Sequence, residues 1–125
     1  MYAKKPFGIE KGDVVLVSFP YQDGAQVRAR LRPAVVVSNA VRNEICEDVL
    51  LIPLIRPKQY PDCNSQVVVK MNSSQGRAAG LRGDSLIDCT VIATIPKQLL
   101  LQRIGAFPSD IMAKVDDCIR WSLDL

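Results

Sequence analysis

Arg28, Arg30 and Arg32 stand at spacing two in RARLRPAVVVSN, ahead of Pro33 and an apolar run from Ala34 to Val37. Alternate residues of an extended segment project to one side, so the three guanidinium groups can form a row. Each is a planar fork able to hold two oxygens of a phosphate or carboxylate at once. Arg32 is the strongest candidate, because the proline behind it restrains the backbone while the preceding residues reach outward. The plain alternative is an arginine whose aliphatic stem covers the rim of a core. Arg28 and Arg30 read equally well as backbone contacts to an anionic polymer and as a solvated loop. Tyr21 offers a stacking face for a planar ligand, and Phe19 reads first as core.

Composition narrows the chemistry. The 125 residues contain no histidine, which removes Ser-His-Asp and Cys-His catalysis and any histidine acid/base pair. No Walker-type loop or G-x-G-x-x-G is present. Cys46, Cys63, Cys89 and Cys118 are scattered without a C-x-x-C pair, so no zinc site and no cofactor are expected. Cys89 and Cys118 fall in apolar stretches and read as buried free thiols. The net charge of +3 is small, and its placement matters more: Arg28, Arg30 and Arg32 cluster, as do Arg77 and Arg82. MYAKKPFGIE has no apolar segment behind its lysines, and VLLIPLI, from Val49 to Ile55, is too short to span a bilayer. A reducing cytoplasm without membrane contact is the expected setting.

The elements that must position these residues read as short strands. Asp13–Phe19 is valine-rich and bounded by Lys11-Gly12 and Pro20, with a polar loop expected after it around Asp23-Gly24. A second strand is expected over Arg32–Ser38, its start limited by Pro33. NAVRNEICED has a helical-turn character, and DVLLIPL, QVVVKM and SLIDCTVIAT read as strands three to five, the last bent in its middle. NSSQGRAAGLRGD reads as a Gly- and Ser-rich mobile loop. Pro96 suits the first turn of a short helix, and Arg103–Phe107 returns as a last strand. Ser109 is the expected N-cap of a closing helix whose Ile111, Val115, Cys118, Ile119 and Ser122 share one face. At this length the chain is expected to form one domain over residues 1–125: mainly β, a small curled antiparallel barrel with a C-terminal helix.

Four stretches in this order resemble the PemK/MazF growth-inhibitor toxins. KGDVVLVSFP resembles that family's opening G-D strand, RPAVVVSN its R-P-hydrophobic strand, and DVLLIPLI its third strand. LLLQRIGAFPSDIMAKVDDCIRWSL resembles its R-I-G segment and closing helix. The resemblance covers about Gly12 to Leu123 and implies an SH3-like barrel that pairs as a homodimer. It also implies a metal-independent endoribonuclease acting on single-stranded RNA and silenced by an antitoxin protein. In such enzymes the ribose hydroxyl attacks the neighbouring phosphate and leaves a cyclic phosphate.

Carried over residue by residue, the arginine of R-P is Arg32, in the role of phosphate clamp. The family's threonine or serine at the end of the third strand falls on Ile55, which has no hydroxyl. Ser38, Thr90 and Ser85 are the candidate substitutes, with Asp84 and Ser85 read first as turn and strand-start residues. Arg56 joins the candidate RNA contacts, although a residue next to Ile55 faces the opposite side unless a bulge intervenes. Thr90, Val91, Ile92 and Ala93 stand where the family often has an acid, Gln, Ile and Arg. Two alternatives therefore stay open. One is a barrel that binds RNA or antitoxin without cutting. The other is a gyrase poison acting through the terminal helix, for which Trp121 is the only cue, and Trp121 reads as well as a packing anchor.

Overall fold

The computed structural model describes residues 8–57 and 64–125. Cys63 and the amino-terminal lysines lie outside the described residues. In chain order the elements are β1 (Asp13–Asp23), β2 (Gln26–Val36), α1 (Ala40–Ile45), β3 (Asp48–Ile55), β4 (Gln66–Val69), α2 (Ser74–Ala78), β5 (Ser85–Asp88), β6 (Ala93–Pro96), β7 (Leu100–Ala106) and α3 (Ser109–Leu123). All strand pairs are antiparallel, in the order β4-β5-β3-β2-β1-β7, with β6 also on β3. The result is the expected, mainly antiparallel β architecture with a carboxy-terminal helix.

Alternation along β1 and β2 feeds two cores. Val14 and Val35 turn one way, towards Ile52, Leu54, Ile87 and the Ile111, Met112 and Val115 face of α3. Val15, Val17, Ala34 and Val36 turn the other way, towards Val49, Leu51, Ile95 and Leu100. A strand buried on both faces needs apolar residues at every position, which is why VVLV and AVVV are continuous runs. The apolar face of α3 is the one its spacing predicts, with Cys118 and Ile119 packed at the edge.

Several boundaries differ from expectation, each for a local reason. β1 does not stop at Pro20 but continues to Asp23, and β2 starts at Gln26, six residues before Arg32. Beyond Val17, β1 has only β2 beside it, and β2 meets β3 only from Ala34 onward. Pro20 and Pro33 therefore sit where a strand has one neighbour, the setting in which a missing N–H is tolerated. The expected loop is thus a two-stranded ribbon turned at Gly24, whose φ of 61° suits glycine. The expected fifth strand is two, β5 and β6, separated by a turn at Cys89–Thr90. The short helix after Pro96 is one 3₁₀ turn, Lys97–Leu99. The Gly- and Ser-rich segment holds α2, capped by the Ser73 hydroxyl, which accepts from Gly76 N–H at 2.9 Å. The N-cap of α3 is Pro108 rather than Ser109. Trp121 is 57% exposed, at a groove it lines with Gln66, Val68 and Cys118.

Ser38 is buried in a polar network two residues beyond the end of β2. Its hydroxyl donates to Asn43 Oδ1 at 2.5 Å and accepts from Leu50 N–H at 3.0 Å. Asn43 Nδ2 donates to the carbonyls of Ile9 (3.1 Å) and Ser38 (3.0 Å). Asn43 thus ties α1 to the chain before β1 and to the end of β2. Truncation would leave buried groups without partners, so Asn43→Ala is expected to destabilise the fold by about 2 kcal/mol. The urea midpoint should fall with an unchanged slope.

Candidate functional site

The row predicted from spacing exists. Arg28, Arg30 and Arg32 lie opposite Tyr21, Phe19 and Val17 across the ribbon, so arginines and aromatics share one face. The Arg30 guanidinium sits over the Tyr21 ring, 4.8 Å from its centroid, which holds a cation and a stacking surface together. Arg28 is bound locally: Nε pairs with Asp23 at 2.8 Å, and Nη2 donates to Gln26 at 3.3 Å. The three differ in burial, with Arg28 and Arg30 exposed and Arg32 half-buried at the base of the ribbon.

Extending the Ala34–Pro53 pairing by two residues sets Arg32 opposite Ile55 on neighbouring strands. Both line a cavity of about 360 Å³, together with Phe19, Pro53, Asp88 and Val91. Among the described residues the Arg32 side chain makes no hydrogen bond or ion pair, so its fork is available to a ligand. The strands supply the reason for this grouping. β3 lies between β2 and β5, and the Ile55–Leu86 pairing places Leu86 and Asp88 on the same side as Ile55.

The other candidate residues are distributed elsewhere. Ser38 lies six residues beyond Arg32, roughly 20 Å along an extended chain, with its hydroxyl engaged as described. Ser85 has the opposite parity to Asp88 and donates to the Gly83 carbonyl at 3.2 Å. It lines a second cavity of about 460 Å³ with Arg56, Arg82 and Gln102. Ile55 borders both cavities. Arg56 follows the parity argument: it lines the second cavity and is absent from the lining of the first. Asp84 is a turn residue, accepting from Met71 N–H at 2.9 Å and pairing with Lys70 at 3.5 Å. The Met71 N–H, against a smaller effect of burial, holds its carboxyl below the ordinary value.

Thr90 reaches the first cavity only through Asp88. Its hydroxyl donates to Asp88 Oδ1 at 2.6 Å, and its N–H donates to the same oxygen at 3.0 Å. Asp88 is the residue that sequence reasoning passed over. The signal needed to find it is the β3–β5 register, which no local pattern contains. Cys89, next along the chain, is fully buried, and burial, then the neighbouring Cys118, push its thiol up to about 12, away from the thiolate form.

The site is thus a half-buried arginine, unpaired among the described residues, beside an aromatic and basic ribbon on a small antiparallel barrel. The chain belongs to the PemK-like, MazF-like toxins of type II toxin–antitoxin systems, whose family model matches residues 10–123. The fold is shared with MazF of Deinococcus radiodurans in its MazE–MazF complex, at 21% identity and a TM-score of 0.73, covering 95% of this chain and 99% of that one. An endoribonuclease from a mycobacterial species is similar at 21% identity and a TM-score of 0.70, with 95% and 94% covered. The Mycobacterium tuberculosis toxin MazF-mt6 is similar at 19% identity and a TM-score of 0.67, with 90% and 97% covered. No curated protein sequence matches the chain at a significant level. Among the described residues, no helix is long and apolar enough to cross a membrane.

Proposed function

We propose that this toxin is a metal-independent endoribonuclease that cleaves single-stranded RNA, works as a homodimer in the cytoplasm and is silenced by an antitoxin protein. The observation that carries the reading is Arg32, half-buried and free of partners among the described residues, at the wall of a cavity that ends an arginine and aromatic row. The similarity to solved endoribonucleases from mycobacterial species, one of them in complex with its cognate antitoxin, supports it.

In this reading the RNA backbone follows the ribbon. Arg30 and Arg28 hold phosphates, Tyr21 stacks on a base, and the scissile phosphate enters the cavity at Arg32. The ribose hydroxyl attacks phosphorus in line, and negative charge gathers on the phosphoryl oxygens. Arg32 meets two of those oxygens with one rigid fork, in a site whose other walls are largely apolar. Arg56 and Arg82 at the second cavity extend the positive track past Ile55.

The test is incubation of the purified full chain with mixed-sequence single-stranded RNA in excess EDTA. Cutting is expected to persist, with 2′,3′-cyclic phosphate and 5′-hydroxyl ends on the products. Intact RNA after prolonged incubation would sink the reading. One observation favours a second reading, a barrel that binds without cutting: the family's hydroxyl position is Ile55, and among the described residues no other hydroxyl lines that cavity. RNA binding without turnover, with cutting gained by Ile55→Thr, would select it. Topoisomerase inhibition without RNA cleavage would select action through the Trp121 helix instead.

A further inference from the structure

Arg32 accounts for charge stabilisation but cannot take the proton that the attacking hydroxyl must lose. Guanidinium stays protonated throughout the working range. The chain has no histidine, and Ile55 offers no hydroxyl. Of the six described side chains lining the cavity, five are Phe19, Arg32, Pro53, Ile55 and Val91, and none of these accepts a proton. The sixth is Asp88.

The Asp88 carboxylate is also held. Oδ1 takes two hydrogen bonds from one residue, the Thr90 N–H and hydroxyl, which fixes the plane of the group. Among the described residues Oδ2 accepts no hydrogen bond. Arg32 faces it from β2, and the distance exceeds that of an ion pair, because no such pair forms among the described residues. Across β4 it is paired with the uncharged Gln66, and along β3 the wall is the apolar Ile55. Cys89 and Thr90, the next residues, carry no charge at neutral pH.

From this geometry we infer that Asp88 is the general base of the reaction and Thr90 its positioning residue, an arrangement that makes the hydroxyl missing at Ile55 unnecessary. The inference rests on the proposed ribonuclease activity and adds a residue to it. As the 2′-oxygen bonds to phosphorus, its proton passes to Asp88 Oδ2. The bond from phosphorus to the 5′-oxygen breaks, and that oxygen takes a proton from water. The protonated carboxyl then returns its proton to the hydroxide so formed, leaving no net change in protons.

The experiment uses the full chain with a single-stranded RNA that the wild type cuts, and the same strand with 2′-deoxyribose at the scissile step as an uncuttable ligand. Asp88→Asn keeps the acceptor for Thr90 and removes the base. Its single-turnover rate is expected to fall about 100-fold. Affinity for the uncuttable strand should be unchanged or tighter, since a negative charge has left the cavity. The loss of rate towards acid pH that a carboxylate base imposes should disappear with it. Thr90→Val should lose about tenfold in rate with affinity intact, as misplacement of the base requires. Asp88→Glu should regain part of the rate.

Wild-type cutting by Asp88→Asn, or a loss of rate matched by an equal loss of affinity, would overturn the inference. Should Asp88→Asn fail to fold, Thr90→Val decides alone. If the wild type leaves RNA intact, the ribonuclease reading fails and takes this one with it. If Arg32→Ala stops cutting while Asp88→Asn does not, only the role of Asp88 is wrong.

Discussion

Arg32→Ala is expected to slow RNA cleavage about a thousandfold, with little change in stability. The argument combines position and freedom. Arg32 stands at the junction where β2 leaves the two-stranded ribbon and joins the sheet, so its backbone is fixed by β1 on one side. Its guanidinium has no protein partner among the described residues, so truncation orphans no buried group and should barely move the thermal midpoint. What is lost is a preorganised donor aimed into a cavity with mainly apolar walls, where such donors act most strongly. Arg32→Lys should recover little, because an ammonium cannot hold two oxygens in a plane. The measurement is the single-turnover rate on a saturating RNA strand. A rate within tenfold of wild type would remove Arg32 from the site.

The largest expected effect on stability is at Gly105, on β7 within the R-I-G segment. A Cβ placed there would lie 2.5 Å from the Ala78 carbonyl oxygen, 2.7 Å from the Ala79 carbonyl carbon and 2.9 Å from the Ala79 oxygen. All three are backbone atoms, which no rotamer change can move aside. Next to them Gly80, at φ of 70°, packs against Ile104, so β7 and the turn after α2 are in contact at two adjacent points. Relief of the clash requires α2 and its turn to lift off the barrel, opening the fully buried contact of Ala79 with the helix-side core. Gly105→Ala is therefore expected to cost about 3 kcal/mol and to lower the thermal midpoint by roughly 10 °C. A midpoint shift under 2 °C would mean that the turn yields freely, contrary to this packing. The same turn leads into Arg82 and Gly83 at the second cavity, so the variant should also disturb that wall.

How far the sequence could be read depended on whether the deciding interaction was local. The apolar strands, the amphipathic face of α3 and the one-sided arginine row follow from periods of two and 3.6, which are written in consecutive residues. The overrun of β1 past Pro20 was not legible, because a proline ends a strand only when both edges are paired, and pairing is set by distant residues. Ser38 looked available because hydroxyls carry no mark of burial; it is engaged only once β3 brings the Leu50 N–H, twelve residues on, against it beside Asn43. Asp88 was hidden for the same reason. It reads as a polar residue at a strand end, and it becomes a cavity wall only once β5 is registered against β3. The side on which Arg56 lies was legible, because parity from Ile55 is local.

The ribbon from Ser18 to Leu31 has one more consequence. It buries little on either side, and a two-stranded hairpin without a third neighbour is only marginally stable in water. It is therefore expected at the low end of the molecule's distribution of local opening energies, while the fully buried Val14, Val15, Val35 and Val36 are expected to exchange their amide hydrogens only when the whole barrel unfolds. Arg28, Arg30 and Tyr21 ride on the part that opens, and Arg32 sits on the part that does not. In the proposed reading, capture and chemistry would then fall to segments with different lifetimes: a ribbon that can refold around successive strands, and an arginine at its base, held beside the sheet.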